Sequence, residues 1–301
     1  MGEDFTKSRE GTHFLRHSDE VGHSPSCQRT FINPPPFDSA KSIVVAITEA
    51  NRKASADLWL LLNGLWEELQ DPNAIIYVLT EHLHLVEQYL RDSVKATIVV
   101  GTPTSTSIVS AIQSAVSRCA IEGKLLLWIC CHGRLKELAN GVKISELRPM
   151  DGWENALTGK DLTRLTSRLP PTCVVTVVLE VCHAGNLWGL PFEISADGTM
   201  VIHRSAEVTA SKGPRIICIS ACGSNEKAWF GEFQALQCGA FTLMLHAELG
   251  DRRREGRPGM YLREVGRVVA PDLVPWGDQH PVIALSHAAD KDTLLVFPGF
   301  H

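Results

Sequence analysis

The chain has 301 residues, a formal net charge of −5 and 44% hydrophobic residues, which is enough for one large α/β domain or two small ones. Its basic residues do not cluster with aromatics, so no nucleic-acid footprint is expected, and the short run Arg252 to Arg254 is flanked by Asp251 and Glu255 as a solvated loop would be. No stretch approaches the roughly 18 apolar residues of a membrane span, and the polar N-terminus lacks a secretory segment. Most of the nine cysteines sit inside apolar runs. Reduced thiols, no membrane and a cytoplasmic location, with the nucleus left open, are therefore expected.

Residues 1–38 are rich in Ser, His and charge and end in Pro34-Pro35-Pro36, which reads as a disordered tail or short prodomain before a domain over 39–301. From Lys41 short β-branched runs alternate with helical patterns, the signature of a mostly parallel sheet covered by helices. A first strand is expected at Ser42 to Thr48 and a helix at about 54–69. Asp71 followed by Pro72 reads as the start of a helix over 72–92, although AIIYVLT taken alone reads as a strand. A strand at Ala96 to Gly101 and a helix carrying Ile108, Ile112, Ala115 and Cys119 on one face follow.

Two buried strands matter most. LLLWICCHG (125–133) ends abruptly in His-Gly, and VVTVVLEVCHAG (174–185), after a helix at about 159–169, ends in Glu-Val-Cys-His-Ala-Gly. In open parallel sheets reactive groups gather beyond the carboxyl ends of strands, so both polar clusters are expected on one edge. A further strand, Arg215 to Ser220, precedes a helix at about 239–249.

A cysteine nucleophile needs a base, and backbone donors for charge on the scissile carbonyl oxygen. His132 and Cys182 supply the pair, and the amides of Gly133 and Cys182 supply the donors. A glycine after the histidine lets an oxyanion approach the main chain. His183 competes as base, but neighbours on a strand point to opposite faces, so the base is expected from another strand. Cys130, Cys131, His132, Cys182, His183, Cys218 and Cys222 also invite a zinc reading, yet none shows the paired spacing of a structural zinc site. No metal is expected.

The order strand–His-Gly, helix, strand–acid-x-Cys-His-x-Gly resembles the caspase-like cysteine peptidases (peptidase C14), and the adjacent Cys-His is similar to the metacaspase branch. The resemblance covers about residues 41–298 in six blocks: TPTSTSIVSAIQSAV, GKLLLWICCHG, VVTVVLEVCHAGN, IICISACGSNEKAWF, GAFTLMLHAEL and DQHPVIALS. The AW after ISACGSNEK resembles fungal members. It implies a three-layer α/β sandwich with about six central strands, and a thiol endopeptidase acting on proteins or peptides, with His132 as base, Cys182 as nucleophile and Gly133 in the oxyanion hole. Glu180 stands where metacaspases usually carry an Asp that binds a basic residue before the cut. Cys130 stands where they usually have Ser, and it joins Glu180 as a substrate-binding candidate. Metacaspases often need calcium, with one carboxylate seven residues after the nucleophile. Here that position is Gly189, which leaves Asp151 and Asp161 and implies weak calcium dependence or none. The loop at about 186–213, with Arg204 and Lys212, is the expected place for self-cleavage. The rival reading is a catalytically weak or inactive caspase-like scaffold. Oligomeric state is left open.

Overall fold

The computed structural model describes residues 40–48, 60, 69–81, 86, 94–194, 198–203, 213–233, 236–257, 259–273, 279–288 and 294–295. All belong to the compact unit Phe37–His301. The expected tail, Arg204 and Lys212 lie outside the described residues, as does most of the expected 54–69 helix.

The core is a nine-stranded sheet. Six parallel strands run side by side: β1 (Ala40–Thr48), β2 (Ile75–Thr80), β3 (Thr97–Gly101), β4 (Cys119–Cys130), β8 (Val174–Glu180) and β11 (Arg215–Ser220). Their spatial order is β11-β8-β4-β1-β2-β3. Beyond β11 the sheet continues antiparallel through β15 (Val282–Leu285), β9 (Phe192–Ile194) and the edge strand β10 (Met200–Ile202). Five of the six parallel strands stand where strands were expected, β2 replaces an expected helix, and three antiparallel strands extend the sheet beyond the expected six. β9 is only three residues long, too short to announce itself by periodicity, whereas β10 falls in the run MVIHR, which reads as strand-like.

Alternation along the strands divides the core into two faces. Val45, Ile47, Leu127, Ile129, Val177 and Leu179 meet α1 (Ser105–Arg118) and α2 (Gly159–Thr166), through Ile108, Ile112, Leu162 and Leu165. On the other face, Val44, Ala46, Leu126, Trp128 and Val178 meet α3 (Ala240–Arg254) and α4 (Leu262–Leu273), through Phe241, Leu245, Val265 and Val269. The result is a three-layer α/β sandwich, as expected.

The helix expected over 72–92 needs correction. Ile75–Thr80 is β2, buried at every position between β1 and β3. Asp71 does cap, but it caps a turn: its carboxylate accepts from the Asn73 amide at 2.9 Å and its carbonyl from the Ala74 amide at 3.1 Å. Asp-Pro suits a turn as well as a helix start, and two-sided burial of a β-branched run favours the strand.

Three further strands, β5 (Gly133–Glu137), β6 (Lys143–Leu147) and β7 (Leu157–Thr158), form a small sheet that starts at the residue after His132. A hairpin of β12 (Phe230–Phe233) and β13 (Leu236–Gly239) leads into α3. β14 (Met260–Tyr261) pairs with β16 (Leu294–Leu295). Among the described residues no helix is long and apolar enough to cross a membrane.

Candidate active site

β4 and β8 are neighbouring parallel strands whose last paired residues are Cys130 and Glu180. His132 and Cys182 each stand two residues beyond that pair, so they leave the sheet side by side. The main chain confirms the closeness: a Cβ at Gly133 would collide with the Cys182 carbonyl and the Val181 side chain. His132 is exposed and Cys182 half-buried. The two amides expected to receive an oxyanion thus belong to adjacent backbone.

Cys182 is not on a strand. β8 ends at Glu180, and residues after Val181 form a tight turn in which His183 has φ of 58° and Gly185 of 40°. Strand alternation therefore does not separate Cys182 from His183, because β8 ends two residues before Cys182. The turn itself settles His183. Its ring Nδ1 lies 3.1 Å from the Ser224 carbonyl, its amide donates to the Glu226 carbonyl at 2.8 Å, and its carbonyl accepts from the Ser145 hydroxyl at 2.5 Å. Two residues on, the Gly185 amide donates to the Cys222 carbonyl at 2.9 Å, and the Ser220 hydroxyl donates to the Gly185 carbonyl at 2.6 Å. A left-handed non-glycine residue costs about 1 kcal/mol or more, and this web of bonds holds it in place.

The opposite wall is the segment 221–229. The Cys182 thiol donates to the Ala228 carbonyl at 3.6 Å. Gln279, buried, spans this segment: its Oε1 accepts from the Trp229 amide at 2.9 Å and its Nε2 donates to the Ala221 carbonyl at 3.1 Å. Next to it, Glu226 accepts from the Gly223 and His280 amides, both at 2.9 Å, and meets the His280 ring at 2.9 Å. Burial would raise the Glu226 carboxyl, but these bonds hold it below its ordinary value. Trp229, 48% exposed, and Phe230 follow Ala228 in the chain as exposed large hydrophobic residues.

Electrostatics at Cys182 favour the thiol. Burial pushes its pKa above the ordinary value, and the charge of Glu180 adds to the rise. The Ala228 contact and Lys227 work in the other direction without overcoming it.

Glu180 and Cys130, expected to bind substrate, are both buried. Glu180 is 4% exposed, and its Oε2 accepts from the Thr242 amide at 2.7 Å, in the first turn of α3. A Cβ at Gly239 would collide with its side chain. Period-two alternation explains the placement: Glu180 follows Val178 onto the face covered by α3, where a carboxylate stabilises a helix N-terminus. Cys130 is on the same face. Across the strand ends it belongs to a polar row, Thr80, Thr48, Cys130 and Glu180, set by the register. In that row Thr48 donates to Thr80 at 2.8 Å.

The remaining acidic candidates act on helices. Asp151 accepts from the Ser105 amide at 2.8 Å, at the start of α1. Asp161 forms a reciprocal capping box with Thr158 at the start of α2, and Arg164 pairs with it. Gly189 is exposed at φ of 61°, in a turn closed by Asn186. Among the described residues no group of three or more His, Cys, Asp or Glu is arranged to hold a metal ion.

Sequence reasoning assigned no role to Ser145, Ser220, Glu226, Gln279 and His280. Ser220, Glu226, Gln279 and His280 lie in blocks of the resemblance, which was their one signal. Ser145 carried none.

The sequence matches no family model and no curated protein. In fold the chain is similar to protein GSU0716 from Geobacter sulfurreducens, known from its crystal structure, at 17% identity and a TM-score of 0.53. The match covers 83% of this chain and 95% of that one. The likeness is one of architecture and carries no chemistry.

Proposed function

We propose that the chain is a caspase-like cysteine endopeptidase of metacaspase type, with Cys182 as nucleophile and His132 as base. The observation that carries this reading is the pairing of β4 with β8, which brings His132, Gly133 and Cys182 to one point on the sheet edge. Cys182 attacks the scissile carbonyl while His132 takes the thiol proton and returns it to the leaving amine. The acyl-enzyme is then hydrolysed by water, with the amides of Gly133 and Cys182 facing the oxyanion. The exposed Trp229 and Phe230, which follow Ala228 in the chain, are the apolar residues offered to a substrate.

Cleavage after Arg or Lys remains part of the proposal through the charge of Glu180, with less support than the dyad. A carboxylate 4% exposed and bonded to the Thr242 amide is occupied by α3. This same occupation, together with the Cys182 thiol held by Ala228, favours the second reading of a non-catalytic caspase-like module. Hydrolysis of fluorogenic peptides ending in Arg or Lys, with and without calcium, beside Cys182→Ala, separates the two. Activity lost in the variant supports the peptidase, and equal silence of both proteins supports the module.

A further inference from the structure

At the opposite end of β4 and β8 from the dyad, Cys119 and Cys173 bring their sulfurs to 4.0 Å. Cys119 is half-buried, at the junction of α1 and β4. Cys173 is fully buried, one residue before β8. The chain folds back on itself between them. Glu122 has φ of 66°, its amide donates to the Thr172 hydroxyl at 3.3 Å, and the Cys173 thiol donates to the Ala120 carbonyl at 3.3 Å. A Cβ at Gly123 would press on the Cys119 sulfur at 2.7 Å and the Ala120 carbonyl at 2.8 Å, so this fold-back needs glycine. The register of β1 against β4 also shifts here, between Ala40 and Ser42. An irregular segment of this kind can give the further approach that bonding distance requires, where a regular ladder could not.

We infer that Cys119 and Cys173 are a redox-responsive pair that closes to a disulfide under peroxide and opens under thiol reductants. Access assigns the two roles. The half-exposed Cys119 attacks the peroxide oxygen as thiolate, breaks the O–O bond and becomes a sulfenic acid while one water leaves. The Cys173 sulfur then attacks the Cys119 sulfur and forms the S–S bond. Its proton and the sulfenic hydroxyl leave as a second water. Two thiols are oxidised by two electrons and one hydrogen peroxide is reduced. The bond fastens together the starts of the two strands whose ends carry His132 and Cys182. It does not depend on the peptidase reading.

Burial, with Cys173 beside it, pushes the Cys119 thiol up to about 12. Closure by peroxide is therefore faster at pH 9 than at pH 7. The test uses the full chain carrying Cys182→Ala, treated with hydrogen peroxide, blocked with N-ethylmaleimide and digested with trypsin without reduction. In that protein the peptides 119–124 and 169–204 each hold one cysteine. The expected result is a linked 119–124/169–204 species that dithiothreitol abolishes, with a melting temperature raised by about 5–10 °C. Adding Cys119→Ser or, separately, Cys173→Ala removes both the link and the shift. The inference is overturned if both peptides stay maleimide-labelled while other cysteines oxidise, or if the link forms only in urea-unfolded chain.

Discussion

Replacing Glu180 with Gln tests what this carboxylate does. Its Oε2 receives the Thr242 amide at 2.7 Å in the first turn of α3, and it is 4% exposed, so solvent does little to screen the interaction. Glutamine keeps a carbonyl acceptor but loses the charge, which costs the charge-assisted share of the bond and the helix-terminus attraction, about 1–2 kcal/mol together. Alanine also orphans a buried amide and leaves a void, for about 3–4 kcal/mol. Urea unfolding followed by far-ultraviolet circular dichroism reads both losses as lowered midpoints. The same Glu180→Gln change removes one of the influences that raise the Cys182 thiol, after burial, so iodoacetamide alkylation at pH 7.5 becomes faster. Unchanged stability in both variants would refute the helix-anchoring role. Slower alkylation in Glu180→Gln would contradict the electrostatic account of the thiol.

Other outcomes follow from the same geometry. Gly133→Ala drives a Cβ into the Cys182 carbonyl, so the turn must shift; the melting temperature falls by an amount equivalent to about 2 kcal/mol or more, and alkylation of Cys182 changes rate. Because burial holds Cys182 above the ordinary thiol value, its alkylation rate keeps rising through pH 9, and a plateau near pH 7 would show a preformed thiolate instead. Glu146 is 4% exposed, and burial alone would raise it, but bonds from Lys136 and Arg134 hold it below its ordinary value. A lowered folded value means its stabilisation is present above the unfolded value and lost as pH falls through the folded one. Melting temperatures between pH 6 and 3 should thus fall less steeply in Glu146→Gln. Since Lys136 and Arg134 are half-exposed, the difference stays near 1 kcal/mol.

The parallel sheet was legible because its strands are buried on both faces and read as unbroken apolar runs, as in LLLWIC and VVTVVL. The same property misled the reading at AIIYVLT, where Asp71-Pro72 suggested a helix and the answer depended on β1 and β3 as neighbours. That the segments carrying His132 and Cys182 meet at one sheet edge was legible because strand ends are where polar residues break apolar runs. The environment of Cys182 was not. The Ala228 carbonyl and the Ser145 hydroxyl reach the turn from separate parts of the chain, Gln279 braces the facing segment 221–229, each bond has a main-chain carbonyl as acceptor, and no side-chain pattern encodes a carbonyl's position. Glu180 shows the limit most clearly. Its position two residues before Cys182 suggested substrate binding, but only the packing of α3 reveals that its carboxylate is covered.

The central claim is that Cys182, with His132, is a nucleophile toward peptide carbonyls. An Arg-terminated peptidyl chloromethyl ketone with the full chain, followed by intact mass and peptide mapping, tests it most directly. The account predicts one adduct on Cys182, lost in Cys182→Ala and strongly slowed in His132→Ala. No adduct, or an adduct on another cysteine that survives Cys182→Ala, would contradict it.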